Sequence, residues 1–126
     1  MRPPGDTSRM LAASHGFRLS PTIEDALTLG SGQLAVDGIF LIAEHGDYPR
    51  SSTGNLQYPK RPFWDEVIQV FDSSRRVVPV FIDKHLADNW RDAKYIYDTA
   101  AARRVPLMAG SSVPGTWRRP AVDVRP

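Results

Sequence analysis

The sequence predicts an α/β domain built on a short parallel sheet of three to four strands flanked by helices. Two observations lead there. Apolar runs of strand length alternate with amphipathic stretches of helix length, and regular alternation of this kind produces parallel strands joined by right-handed crossovers. Each apolar run is continuous rather than alternating, which is the pattern of a parallel strand covered on both faces. The 126 residues fit one domain with one main core.

Residues 1–7 are a lead-in rich in proline and glycine. Ser8 to Ser14 reads as a short helix closed by Gly16, and Phe17 to Leu19 as a short strand. Ser20 and Pro21 have the chemistry of an N-cap and first helical position for a brief helix carrying Ile23, Ala26 and Leu27 and ending at Gly30. Val36 to Ala43 is the clearest strand, with the run Gly38-Ile39-Phe40-Leu41-Ile42-Ala43 at its centre. A long loop over 49–62 follows, of a length that is often functional or mobile. Phe63 to Arg75 is an amphipathic helix, and Val77 to Ile82 a second buried strand. Asp88 is placed to cap a helix from Asn89 to Arg104, with Trp90, Ala93, Tyr97, Ala100 and Ala101 as its inner stripe. Val105 to Ala109 is the last strand. The domain is thus assigned to residues 8–112, and 113–126 is a tail rich in proline and arginine.

Composition excludes several classes. Hydrophobic residues at 41% and charged residues at 24% are those of a globular chain. A net charge of +2 is too small to argue for a nucleic-acid partner. The absence of cysteine rules out disulfides and thiolate metal sites and fits a cytoplasmic protein. The first residues lack the apolar core of a signal peptide, and no apolar run is long enough for a membrane span.

The chemistry concentrates where the strands end. In open parallel sheets ligands bind at the carboxyl ends of the strands. The first such end carries Glu44, His45, Asp47 and Tyr48, the second Asp83, Lys84 and His85, and the third Ser111 and Ser112. Adjacent parallel strands lie about 4.8 Å apart, close enough for these groups to converge. The candidate catalytic set is His45, Asp47, Asp83, Lys84 and His85. Glu44, Tyr48, Ser111, Ser112, Arg118 and Arg119 are candidate substrate contacts, the two arginines as an anion clamp. Three chemistries fit. Histidine with a carboxylate, supported by Lys84, suits acid–base catalysis. His45 and His85 with Glu44, Asp47 or Asp83 suit a divalent metal and hydrolysis by its bound water, although the spacing matches no recognised metal motif. Ser111 or Ser112 can serve as a nucleophile, but no G-x-S-x-G elbow is present. Beside these stand plain structural roles: aspartates capping turns, Lys84 in a structural ion pair, and the arginines on a solvated tail.

Two strings, Val36-Asp37-Gly38-Ile39 and Asp83-Lys84-His85-Leu86-Ala87, together with Val105-Pro106-Leu107-Met108-Ala109-Gly110, resemble the glucose–fructose oxidoreductase/inositol dehydrogenase family. The resemblance covers residues 8–112 and implies a Rossmann-like half domain, the second half of a nucleotide-binding domain. In that family the fifth strand ends in Glu-Lys-Pro, with the lysine beside nicotinamide and substrate. Lys84 holds the matching place, Asp83 stands for the glutamate and His85 for the proline. The chain also resembles a group of longer bacterial proteins that share Glu44-His45-Gly46-Asp47-Tyr48-Pro49, Asp83-Lys84-His85-Leu86, Met108-Ala109-Gly110-Ser111-Ser112 and Trp117-Arg118-Arg119-Pro120, and that bring no known activity.

A dinucleotide site needs a glycine-rich turn between a first strand and its helix. No G-x-G-x-x-G occurs here, and Gly30-Ser31-Gly32 follows a helix rather than a strand. NAD or NADP binding by the isolated chain is therefore not expected without a partner subunit to supply the phosphate site. The missing unit also leaves the edge of the strand from Val36 to Ala43 unpaired, which predicts a homodimer or higher oligomer through that edge. The expected function is a small-molecule enzyme performing acid–base or metal-assisted hydrolysis of a polar or anionic substrate. The alternative is a non-catalytic binding or assembly module, or a fragment of an oxidoreductase-like protein lacking its cofactor half.

Overall fold

A computed structural model describes residues 7–43 and 46–111. Seven elements follow in order: α1 (Ser8–His15), α2 (Ile23–Thr28), β1 (Ile39–Leu41), α3 (Lys60–Ser74), β2 (Val80–Asp83), α4 (Trp90–Ala102) and β3 (Leu107–Gly110). The three strands form one parallel sheet in the order β1-β2-β3. This is an α/β fold of the Rossmann-like half-domain kind.

Local chemistry explains most element ends, with corrections. Gly16 closes α1 in the left-handed region at φ 71°, its N–H donating to the Ala12 carbonyl. Phe17 to Leu19 forms no strand. The cap of α2 is Thr22 rather than Ser20, because the Thr22 hydroxyl accepts from the Asp25 N–H at 3.0 Å. Asn89, not Asp88, caps α4 by accepting from the Asp92 N–H at 2.9 Å. The helix α3 begins at Lys60, ahead of Pro62. Proline is tolerated in a first turn, where its missing N–H has no intrahelical partner to lose.

The core lies on one face of the sheet. Leu41, Val80 and Ile82 pack with Trp64, Val67, Ile68 and Phe71 of α3 and with Ile96 and Ala100 of α4. Both helices belong on that face for a topological reason. In a sheet ordered β1-β2-β3, two successive right-handed crossovers travel the same way and drop their helices on the same side. Among the described residues no helix packs on the other face, where the sequence predicted cover on both. Phe40 and Met108 point out from it. In α4 the inner stripe is Ile96, Thr99 and Ala100, whereas Trp90 and Tyr97 are exposed.

The C-terminal ends of α3 and α4 are tied together. Arg103 donates from Nε and an Nη to the two oxygens of Asp72 at 2.8 and 2.9 Å. That hydrogen bonding holds the Asp72 carboxyl below its ordinary pKa, against the opposing effect of desolvation. A depressed carboxylate stabilises the fold above its unfolded-state pKa, and the contribution is lost as pH falls through the folded-state value. Asp72→Asn is therefore expected to lower the melting temperature at neutral pH, with the gap to wild type closing as pH falls from neutral through the lowered carboxyl pKa. Thermal unfolding of both proteins across that range checks it, and a gap that is constant with pH refutes it.

Candidate functional site

The site grows from the C-terminal end of the central strand. Register places Asp83 of β2 opposite Gly110 of β3, so Ser111 follows directly beside the Lys84 turn. Asp83 is almost fully buried. Its Oδ1 accepts from the Lys84 N–H at 2.8 Å, and the Lys84 ammonium lies 4.0 Å from Oδ2. The Lys84–His85 peptide bond is cis.

Beneath this turn sits a residue that the sequence reading passed over. Lys60, in the first turn of α3, is completely buried, and its Nζ donates to the Asp83 carbonyl at 3.1 Å. A buried ammonium is costly unless hydrogen-bonded, and here it ties the start of α3 to the end of β2. Its signal in the sequence was weak: a lysine between Pro59 and Pro62 reads as loop.

The segment 49–59 is not a featureless loop. Arg50 and Leu56 form an antiparallel bridge, the Ser51 N–H donates to the Asn55 carbonyl, and the Gln57 N–H donates to the Pro49 carbonyl. Arg50 also donates through an Nη to the Gly54 carbonyl at 2.6 Å. This small hairpin delivers Tyr58 to the site, where its ring meets Tyr48 at 5.7 Å and His85 at 5.4 Å between centroids, both edge-on. Gly46 lies close against the Tyr48 ring. A Cβ at that position would fall 2.5 Å from the Tyr48 ring, so any side chain there displaces the tyrosine.

The result is an open cleft of about 470 Å³ lined by Arg50, Asn55, Leu56, Tyr58, His85 and Asp88. A second hollow shares Asn55, Tyr58 and Asp88 and continues toward Arg61 and Asp92. Arg61 is fully committed to structure. It donates to Asp65 and Asp92, and its guanidinium stacks on Tyr95 at 3.3 Å from the ring centroid.

Of the sequence-predicted set, Asp83, Lys84 and His85 share one turn, and Tyr48 joins His85 through Tyr58. Asp47 is exposed, and Ser111 is half-buried at the end of β3. Glu44, His45, Ser112, Arg118 and Arg119 lie outside the described residues. Among the described residues no group of three His, Asp or Glu side chains converges to hold a metal ion. No helix among them is long and apolar enough to cross a membrane. The site residues that sequence reasoning missed are Lys60, Arg50, Asn55 and Tyr58, from the hairpin and the helix start that follows it, and Asp88, read only as a helix cap. No protein-family model, curated protein or solved structure matches the chain.

Proposed function

We propose that this chain is a small-molecule enzyme domain that binds a polar, anionic substrate at the C-terminal ends of its strands and hydrolyses it by acid–base chemistry. The observation that carries the reading is the cleft in which His85 and Arg50 share a wall. Histidine is the side chain best suited to exchange protons near neutral pH. Arginine is suited to hold a carboxylate or phosphate. His85 is exposed and reaches solvent and ligand alike, while the edge-on Tyr58 ring fixes its position. In this reading Arg50 anchors the anion, His85 moves the proton, and Asp88 on the same wall accepts a substrate hydroxyl. Asp83 stays buried and shapes the turn that presents His85.

The test is a hydrolysis screen with p-nitrophenyl phosphate and p-nitrophenyl acetate, coupled to calorimetric binding of inorganic phosphate. His85→Ala is expected to lower the rate by about 10²–10⁴-fold, the usual contribution of a positioned acid–base group. Arg50→Ala is expected to weaken phosphate binding with the fold intact. Rates and binding unchanged in both variants would remove the reading. The metal-assisted form of the same chemistry would need Glu44 or His45 as a further ligand, and activity that survives EDTA would exclude it.

A further inference from the structure

Parallel sheets are stable with both faces covered, and among the described residues this one has helices packed on a single face. On the open face Phe40, Phe81 and Met108 are aligned by register into an apolar row across all three strands. Phe40 and Phe81 are in ring contact at 5.6 Å. Alternation along the chain adds Ile42 to the same face. Phe40 is 77% exposed, Ile42 57% and Met108 65%.

The same chain carries a helix that buries none of its residues. Nothing in α1 is buried, and Met10 and Leu11 are exposed along it. Phe17 and Leu19, just past its glycine cap, are exposed too. Among the described residues, one sheet face carries no helix and one helix buries no residue.

We infer that the open sheet face is an interface between two copies of this chain, with the α1 segment of each copy lying across the Phe40–Phe81–Met108 row of the other. Apolar packing on both sides makes the contact self-consistent under a two-fold axis, and reciprocal exchange of an element is a low-cost route to a dimer. The areas agree with a stable interface. Scaled from the 150–250 Å² of an aromatic side chain, the sheet-face group and the Met10-to-Leu19 group each leave roughly 400 Å² of apolar surface bare. Two reciprocal contacts then bury about 1,600 Å² in all, the size of a standard specific interface. The edge of β1, which the sequence singles out for self-association, offers only three strand residues.

Analytical ultracentrifugation of the full chain at micromolar concentration tests the inference. Wild type is expected as a dimer. Met10→Glu with Leu11→Glu, and separately Phe40→Glu with Met108→Glu, are each expected to weaken association by at least about 100-fold and give monomers. These four side chains are exposed in the single chain, so each variant keeps its circular dichroism spectrum. If the Glu pair on the strands does not fold, Phe40→Thr with Met108→Thr preserves strand propensity and replaces it. Mixing the helix variant with the sheet variant is expected to restore a heterodimer, because one intact helix then meets one intact face. A monomeric wild type, or a dimer that survives either pair of substitutions, overturns the inference. So does mixing without recovery, which indicates two sheets stacked face to face.

Discussion

Replacing Trp64 with alanine is expected to cost about 3–5 kcal/mol of folding free energy, the range for deleting a large buried aromatic. Trp64 is completely buried in the second turn of α3, within the cluster that joins that helix to the sheet and to α4. A domain of this size holds only about 5–15 kcal/mol in total, so the variant sits near the limit of folding. Its indole N–H is buried with no hydrogen-bond partner among the described residues. The cost of Trp64→Phe is therefore expected to be well below that of Trp64→Ala, since phenylalanine keeps much of the volume and removes the unsatisfied donor. Urea unfolding of the three proteins measures the order. Equal midpoints for Trp64→Ala and wild type would mean that α3 does not anchor the core.

The second large effect is expected at Lys60. Lys60→Met keeps the length of the stem and removes the donor to the Asp83 carbonyl. Losing one hydrogen bond to a buried carbonyl costs about 1–3 kcal/mol. Lys60→Ala adds a cavity to the same loss and is expected to be the more damaging of the two. Because the ammonium is buried, its effect on the cleft runs through Asp83 and the Lys84–His85 turn rather than through contact with a ligand. Chemical denaturation together with phosphate titration separates the two consequences. A Lys60→Met protein as stable as wild type would show that the ammonium is replaceable by packing, as some buried charges are.

The α/β class was legible because it depends on pattern, and pattern survives without tertiary context. The apolar runs around Ile39, Val80 and Leu107 all became strands. Which face each strand would cover was not legible. The same run of Phe40, Leu41 and Ile42 serves a strand covered on one side or on two, and the side is decided by crossover direction. The phase of α4 was misjudged for a related reason. Trp90 and Tyr97 are seven residues apart and large enough to mimic a core stripe, yet Ile96 and Thr99 face inward beside the expected Ala100. Cap positions at 20–22 and 88–89 offered two suitable side chains each, and only backbone geometry selects between them.

The candidate site was legible in part. Asp83, Lys84 and His85 are adjacent in sequence and stand at a strand end, where the general rule for open sheets looks first. Arg50 and Tyr58 could not be found that way. They reach His85 only because the segment after β1 folds back as a hairpin, and hydrogen bonds between its own backbone groups leave little trace in residue type. Lys60 was hidden by Pro62, after which the sequence places the helix start at Phe63, three residues too late.

The strand order has a bearing on how the chain acquires its shape. Each strand pairs only with the one made immediately before or after it, so no pairing waits for a distant segment. During synthesis the first β-α-β unit can close as soon as β2 has left the ribosome, and the second can then build on it. The helix that bears Lys60 and Trp64 belongs to the first unit and receives α4 in the second. Damage to α3 would therefore stall assembly at its earliest step, leaving nascent strands exposed, rather than merely loosening a finished protein.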